Sequence, residues 1–189
     1  MKSPSKSRTR VPKVKIDGKV VETPRKEVKV IILLDRSGSM QMGLNGYINA
    51  INEYLNGLRE SKDTSYTVSL TFFDGQRKAG SFHEHLSLEH FVKDVDISAV
   101  PALTQKNFVP RGSTPLYDAI GSVINQLDQI KDDSNTVFVI LTDGEENSSR
   151  EYSAAMVEKL ISAKNEAGWL INYLGANQDA IKVAKKFGI

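Results

Sequence analysis

Acidic and hydroxyl side chains recur in three short segments of this 189-residue sequence. The first segment has Asp35, Ser37 and Ser39 at alternate positions, the second is Gly112-Ser113-Thr114-Pro115, and the third is Thr142-Asp143-Gly144. Together the three segments offer two carboxylates and at least three hydroxyls, with no imidazole. Oxygen donors of this kind are typical of sites for hard divalent cations, which favours Mg²⁺ first and then Mn²⁺ or Ca²⁺.

Each segment adjoins an element that the hydrophobic pattern predicts. The apolar run Val28–Leu34 predicts a buried parallel strand before the first segment, and residues 136–141 predict another strand before the third. The second segment opens a predicted helix over residues 114–131, because a hydroxyl suits the cap and Pro suits the first helical position. Ligands of such sheets bind at the carboxyl ends of the strands, so we expect the three segments to meet at that edge.

Strands and amphipathic helices alternate along the rest of the chain, which predicts an α/β domain with a mostly parallel sheet and one antiparallel strand. A predicted third strand, residues 77–85, pairs back antiparallel across a tight turn at Asp74-Gly75, and residues 87–94 form a short helix. The other predicted elements are a helix over 44–58, a strand over 66–73, a helix over 150–167, a strand over 169–174 and a helix over 179–187.

Three motifs in this order resemble the von Willebrand factor A domain: Asp-x-Ser-x-Ser after an apolar strand, Gly-x-Thr-Pro-Leu-Tyr-Asp-Ala opening a helix, and Thr-Asp-Gly after a later strand. The resemblance covers about residues 28–189 and is greatest to stand-alone bacterial and phage members. It implies a Rossmann-like three-layer α/β sandwich, with the antiparallel strand at the sheet edge, helices on both faces and the family's last strand missing here. It also implies a metal-ion-dependent adhesion site whose ligands are Asp35, Ser37, Ser39, Thr114 and Asp143.

The ligand chemistry favours binding over catalysis. Two carboxylates at most neutralise a divalent cation, and Mg²⁺ prefers six ligands, so one position is left for water or an incoming oxygen. We therefore expect a non-enzymatic, metal-dependent protein-binding module whose partner supplies a Glu or Asp to the metal. The family resemblance adds AAA-type ATPases or multi-protein assemblies as contexts. A metal-dependent hydrolase or phosphatase is an alternative, but no Asp-x-Asp pair, P-loop, Gly-x-Ser-x-Gly or general base lies near the segments.

Charge is distributed unevenly along the chain. Residues 1–29 contain ten Lys and Arg against three Asp and Glu, a net charge of +7, so the other 160 residues carry −5 although the whole chain carries only +2. Residues 1–27 are therefore predicted to be a basic N-terminal arm, disordered or folded as a short hairpin across Asp17-Gly18, ahead of a domain at 28–189. A solvated tail, a contact to acidic protein surface and a salt-sensitive nucleic-acid contact are alternative roles for the arm. The last of these gives an alternative function for the whole chain, a nucleic-acid-associated protein that acts through the arm and uses its folded body as a scaffold.

Composition excludes several classes of site. The sequence has no cysteine, which rules out a disulfide scaffold and a thiol nucleophile and favours a reducing compartment. His83, His85 and His90 are expected on a polar face of an edge strand, because a zinc site there has no third ligand in view. The longest apolar run is far shorter than the roughly 20 residues of a membrane span, and the polar start lacks a secretory signal. We expect a soluble cytoplasmic protein without a membrane partner.

Four further residues next to the first and third segments have open roles. Glu145 and Glu146 are predicted to form a solvated acidic rim outside the first shell of metal ligands. Met40 and Met42 are equally well interpreted as exposed contact residues or as packed side chains, because Met adapts to varied surfaces.

Overall fold

The structure is a computed structural model, and it describes residues 13–16, 19–22, 25–128, 135–143 and 146–175. Single turns of 3₁₀ helix lie at Gly38–Gln41 and Ile97–Ala99. The strands and α-helices are β1 (Lys13–Ile16), β2 (Lys19–Glu22), β3 (Lys26–Asp35), α1 (Leu44–Arg59), β4 (Thr64–Arg77), β5 (Glu84–Asp96), α2 (Leu116–Asp128), β6 (Thr136–Thr142), α3 (Ala154–Glu166) and β7 (Leu170–Gly175).

Within the described residues, five strands form the main sheet in the order β5-β4-β3-β6-β7. Strands β4, β3, β6 and β7 run parallel to one another, whereas β5 runs antiparallel to β4 at the sheet edge. Strand β3 is central because its residues Val30 to Leu34 are all apolar, and such a run is buried only where both faces of the sheet are covered. The mostly parallel sheet with one antiparallel edge strand confirms the prediction.

Alternate side chains of β3 enter two hydrophobic cores, one on each face of the sheet. Val30, Ile32 and Leu34 pack with α1, whereas Ile31 and Leu33 pack with α2 and α3. Burial of each such side chain stabilises the fold by roughly 1.5–3 kcal/mol. The end of β3, where the first segment begins, is therefore held from both faces, and the predicted three-layer arrangement is confirmed.

The prediction for residues 74–94 is wrong. Strand β4 continues through Asp74-Gly75 to Arg77, and β5 covers the segment for which a short helix is predicted. Position 75 requires glycine, because a β-carbon there would lie 2.0 Å from the Ser113 Oγ. Asp74 is fully buried and pairs with arginines instead of facing solvent at a turn. Asp-Gly marks a close approach of two chain segments here, a feature with the same sequence signature as a tight turn.

The two ends of the chain are described only in part. Strands β1 and β2 pair antiparallel, with Lys13 opposite Glu22, which is the pairing predicted across Asp17-Gly18. That turn lies outside the described residues, and so do the predicted final helix, residues 179–187, and any segment in which a sixth strand would lie. The division between an arm and a domain at residues 27 and 28 stays a prediction. None of the described helices is both long enough and apolar enough to cross a membrane.

Candidate metal centre

The carboxyl ends of β3 and β6 lie side by side and carry the two predicted carboxylates. Leu34 pairs with Leu141, so Asp35 and Thr142 end the two strands at the same level and Asp143 follows one residue later. Asp35 is fully buried, and its Oδ2 accepts a 2.6 Å hydrogen bond from the Thr142 hydroxyl. Two adjacent parallel strands thus bring the first and third segments to one edge of the sheet.

Hydrogen bonds join four of the five predicted metal ligands. The Asp35 Oδ1 accepts a 2.7 Å bond from the Ser37 N–H, a local turn that explains the spacing of these two residues. The hydroxyl oxygens of Ser37 and Ser39 are 3.0 Å apart, and the Ser39 hydroxyl donates to the Asp143 Oδ1 at 2.8 Å. Oxygen atoms from the first and third segments therefore converge in one cluster.

Thr114, the fifth predicted ligand, lies in a buried loop next to this cluster. The Gly112 carbonyl accepts a 3.1 Å hydrogen bond from the Gly38 N–H, which joins the second segment to the first, and Thr114 is 2% exposed. Asn147 fixes the Thr114 backbone: its Oδ1 accepts the Thr114 N–H at 2.9 Å, and its N–H donates to the Thr114 carbonyl at 3.2 Å. The structure brings all three segments together, and metal ligation by the five residues stays a prediction.

Burial makes a free carboxylate at Asp35 costly. Desolvation raises the pKa of Asp35 from 3.8 to about 6, although hydrogen bonds from Thr142 and Ser37 oppose the rise, and the nearby Asp143 charge adds to it. The Tyr47 hydroxyl of α1 donates a 3.4 Å hydrogen bond to the Asp143 Oδ2, and burial and the Asp143 charge raise the pKa of Tyr47 to about 12. A bound cation would offset both the desolvation and the mutual repulsion of the two carboxylates.

The donor set fits a hard divalent cation, because every candidate ligand atom is a carboxylate or hydroxyl oxygen. In the part of the chain that the structure describes, no group of three or more His, Cys, Asp and Glu is placed to hold a metal ion, so a cation at this cluster would need hydroxyl ligands as well. The histidines lie elsewhere: the His90 Nδ1 is 2.8 Å from the Thr71 hydroxyl, and the His85 Nε2 is 3.0 Å from the Ser81 hydroxyl. His83 precedes β5 and lies outside the strand.

Comparison with protein families agrees with this geometry. The family model of the von Willebrand factor type A domain matches residues 29–186, a range that contains all three segments. The chain belongs to this family. The resemblance inferred from the three motifs is therefore confirmed.

Solved structures share the von Willebrand factor A (VWA) fold with this chain at low sequence identity. Manganese-loaded TRAP protein of Plasmodium vivax has a TM-score of 0.60 and 19% identity, over 81% of this chain and 58% of the TRAP chain. The pilus adhesin SpaC of Lactobacillus rhamnosus GG has a TM-score of 0.58 and 14% identity, over 87% of this chain and 26% of its own. Proximal thread matrix protein 1 from the mussel byssus, solved with a zinc-occupied MIDAS motif, has a TM-score of 0.52 and 11% identity, over 80% of this chain and 38% of its own.

This VWA domain spans less than two thirds of each of those three proteins. A search of curated proteins finds no significant match. At these identities the similarity establishes the fold, and the chemistry has to be argued from the residues of the site.

Two carboxylates of the VWA domain hold the loop after β6 against the start of α2. Glu146 is half-buried and accepts hydrogen bonds from the Tyr117 N–H, from two serine N–H groups of its own loop and from a serine hydroxyl. Asp118 is 5% exposed and accepts the N–H groups of residues 150–152. The predicted solvated role of Glu146 is wrong because this loop folds back over helix N–H groups that have no partner within the helix. Glu145 lies outside the described residues.

A partly buried ion cluster beside the first and second segments is absent from the predictions. Arg36 of the first segment and Arg111, which precedes the second, both donate through Nε to the Asp74 Oδ2, at 2.7 and 2.9 Å. Their terminal nitrogens contact the Glu89 Oε2 at 2.7 and 3.4 Å, and the Arg36 hydrogen bond lowers the pKa of Glu89. The sequence contains one sign of this cluster: Arg36 is the charged residue inside the Asp-x-Ser motif, at the end of a strand that is predicted to be buried. A buried arginine needs an acidic partner.

The two methionines after the first segment have different roles in the VWA domain. Met40 is fully buried and packs in the core that contains α1, whereas Met42 is 93% exposed. Met40 is therefore a packed side chain and Met42 an exposed one, and a contact role for Met42 stays a prediction.

Proposed function

We propose that this chain is a non-enzymatic, metal-dependent protein-binding module that recognises an acidic side chain of its partner. The observation that carries the proposal is a cluster of oxygen atoms held by hydrogen bonds. The Ser39 hydroxyl is hydrogen-bonded to Asp143 and to the Ser37 hydroxyl, and the Ser37 N–H donates to Asp35. Asp35, Ser37, Ser39, Thr114 and Asp143 would hold the cation directly or through water. Mg²⁺ is the preferred ion, because all five candidates offer oxygen ligands.

The charge of the site supports a role in binding. A bound divalent cation supplies positive charge and a Lewis-acidic position at the protein surface. Asp35 and Asp143 together carry at most two negative charges, and the hydroxyls add none, so a further anionic ligand is well accommodated. A Glu or Asp of a partner is the anion that a protein surface provides most readily.

Proteins of the same fold support this interpretation. TRAP of Plasmodium vivax was solved with manganese, and the mussel matrix protein with zinc in its MIDAS motif. A third structural neighbour is a pilus adhesin. We extend divalent-cation binding and adhesion from those proteins to this one as part of the proposal.

Exposed apolar side chains next to the site suit a protein partner. Met42, just after the first segment, is 93% exposed, and Val109, just before the second, is 58% exposed. Single exposed apolar residues are common on protein surfaces, but these two flank the segments of the site. Apolar contact together with polar and charged contact is the usual arrangement of a protein interface.

Affinity capture from the native host tests the proposal. Tagged protein is incubated with lysate in Mg²⁺ or in EDTA, and the bound proteins are compared by mass spectrometry. We expect a partner that is retained in Mg²⁺, lost in EDTA and lost with Asp35→Asn and with Asp143→Asn. Asp63→Asn is the matched control, because Asp63 is exposed and precedes β4 at the opposite end of the sheet. A partner retained equally in all of these conditions would rule out metal-mediated recognition.

The setting of this function is part of the proposal as well. We place the protein in the cytoplasm, on the basis of its cysteine-free composition, within a multi-protein assembly of the kind that includes AAA-type ATPases. The same capture experiment names the assembly, and fractionation of the host cells checks the compartment.

A further inference from the structure

We propose that a second acidic side chain of the partner binds in a basic cleft beside the metal centre. The cleft has a volume of about 450 Å³, and Arg36, Phe72, Glu89, Lys106, Val109 and Arg111 are among the residues that line it. This inference rests on the proposed function, because it concerns the same acidic segment of the same partner.

The cleft and the metal centre are built from the same stretches of chain. Arg36 directly follows Asp35, and the Arg111 N–H donates to the Arg36 carbonyl at 2.7 Å. Arg111 in turn precedes Gly112, whose carbonyl is bonded to the first segment. Neighbouring Cα atoms are about 3.8 Å apart, and alternate residues of an extended peptide are about 6.6 Å apart. Because the two sites share neighbouring residues, a segment with its two acids about two to four residues apart is the length that the proposal requires.

The charge of the cleft is opposite to that of the domain around it. Arg36, Lys106 and Arg111 face one lining carboxylate, Glu89, and even with Asp74 counted the group carries a positive charge. Residues 30–189 together carry −5, so the sign of this positive group is opposite to that of their net charge. A local positive potential next to a cation site selects an acidic partner segment and speeds its association.

Two cations of this group are accessible to a ligand, and the third is buried. The Arg36 side chain is 5% exposed, and its Nη2 is a buried donor that has no hydrogen-bond partner among the described residues, so Arg36 contributes charge without direct contact. Lys106 is exposed, and within the described ranges its side chain takes part in no ion pair or hydrogen bond. The Arg111 side chain is 46% exposed, so its guanidinium is accessible to a carboxylate. An arginine fork and a lysine ammonium are the side chains that bind carboxylates in proteins.

Apolar side chains form part of the cleft. The Arg36 guanidinium carbon lies 5.2 Å from the ring centroid of the buried Phe72, a cation–π contact that helps to fix this cation in place. The exposed Val109 also lines the cleft and offers a partner segment an apolar contact beside its carboxylate.

Two synthetic peptides test the proposal. The two-acid peptide is acetylated and amidated Gly-Glu-Gly-Glu-Gly, and the one-acid peptide has Gln in place of the second Glu; longer versions place two or three Gly between the acids. Each is titrated by NMR into the full-length protein at low salt, in Mg²⁺ and in EDTA, with the Arg111 side-chain N–H as a reporter. The variants are Lys106→Gln, which removes a charge that the fold does not use, and Lys62→Gln, a matched exposed lysine before β4 at the opposite end of the sheet.

In Mg²⁺ we expect the best two-acid peptide to bind at least about threefold tighter than its one-acid partner, since exposed ion pairs contribute factors of this size. This preference for the two-acid peptide should fall at least about twofold in Lys106→Gln, stay unchanged in Lys62→Gln and shrink at high salt, and binding of the two-acid peptide should shift the Arg111 signal. The proposal is overturned if no two-acid peptide binds tighter, or if the preference is undiminished in Lys106→Gln. It is also overturned if inorganic phosphate fills the cleft while neither peptide moves the Arg111 signal.

The two hypotheses fail in different ways in this experiment. If the one-acid peptide binds equally in Mg²⁺ and EDTA, metal-mediated recognition fails. If the two-acid peptide still shifts Arg111 in a Lys106-dependent manner under EDTA, the cleft is supported independently of the metal.

Discussion

Substitution of Gly112 by Ala tests how the second segment is held in place. Gly112 has a φ of +69°, and a β-carbon there would lie 1.9 Å from the Gly75 carbonyl oxygen of β4. The Gly75 N–H also donates to the Ser113 carbonyl at 2.9 Å, so β4 and the segment that carries Thr114 are in backbone contact. Any side chain at position 112 must push these two segments apart.

The size of the effect follows from two contributions. Alanine in the left-handed region costs roughly 1–2 kcal/mol. Relief of the carbonyl contact requires a movement of more than about 1 Å, and overpacking of this kind costs typically about 1–3 kcal/mol. We therefore expect Gly112→Ala to lower the free energy of unfolding by about 2–5 kcal/mol, and to weaken divalent-cation binding because the Thr114 segment moves.

Gly80→Ala is the matched control. Gly80 has a φ of +80°, but no atom lies within 4 Å of the place that a β-carbon would take, so this variant carries the backbone strain alone. Urea unfolding should separate the two variants by about 1–3 kcal/mol, which is roughly 1 M in midpoint for a typical urea dependence. Equal losses of stability in the two variants, or undiminished metal affinity in Gly112→Ala, would refute the role assigned to this contact.

Three further substitutions probe the carboxylates. Burial raises the pKa of Asp35 from 3.8 to about 6, so the metal-free fold loses up to about 3 kcal/mol of stability as the pH rises from about 4 to 6 and this carboxylate ionises. Urea unfolding in EDTA should therefore find Asp35→Asn more stable than wild type at about pH 7.5. The difference in the free energy of unfolding should vanish near about pH 4. Glu146→Gln should lower the free energy of unfolding by about 1–3 kcal/mol in thermal or urea unfolding, because an amide cannot accept all four hydrogen bonds. The control Glu158→Gln, at an exposed position, should lower it by less than about 0.5 kcal/mol. Asp118→Ala should cost about 2–4 kcal/mol, since three backbone N–H groups lose their acceptor, and faster amide hydrogen exchange at residues 150–152 checks it.

The features predicted correctly from the sequence depend on local patterns. The apolar run before Asp35 indicates a central strand without any knowledge of its neighbours, and Thr114-Pro115 indicates a helix start by its own chemistry. Adjacent parallel strands then bring Asp35 and Asp143 to one edge, because that edge is common to all parallel strands of a sheet.

The features that the sequence does not reveal depend on contacts between distant parts of the chain. Asp74-Gly75 is locally identical to a hairpin turn, and only the approach of the second segment shows why Gly is needed there. Arg36 and Arg111 are far apart in sequence and share a partner on β4, so their cluster requires the strand order. The prediction that Glu146 faces solvent is wrong because its loop folds back onto the start of α2, and no local pattern in the sequence indicates this contact.

Anomalous diffraction from crystals grown with Mn²⁺ tests the central claim most directly. The metal-centre hypothesis predicts a single strong manganese peak among Asp35, Ser37, Ser39, Thr114 and Asp143 that is lost in Asp35→Asn and replaced by Mg²⁺ in competition. A manganese-soaked crystal without density at this cluster, or with the peak unchanged in Asp35→Asn, would contradict it.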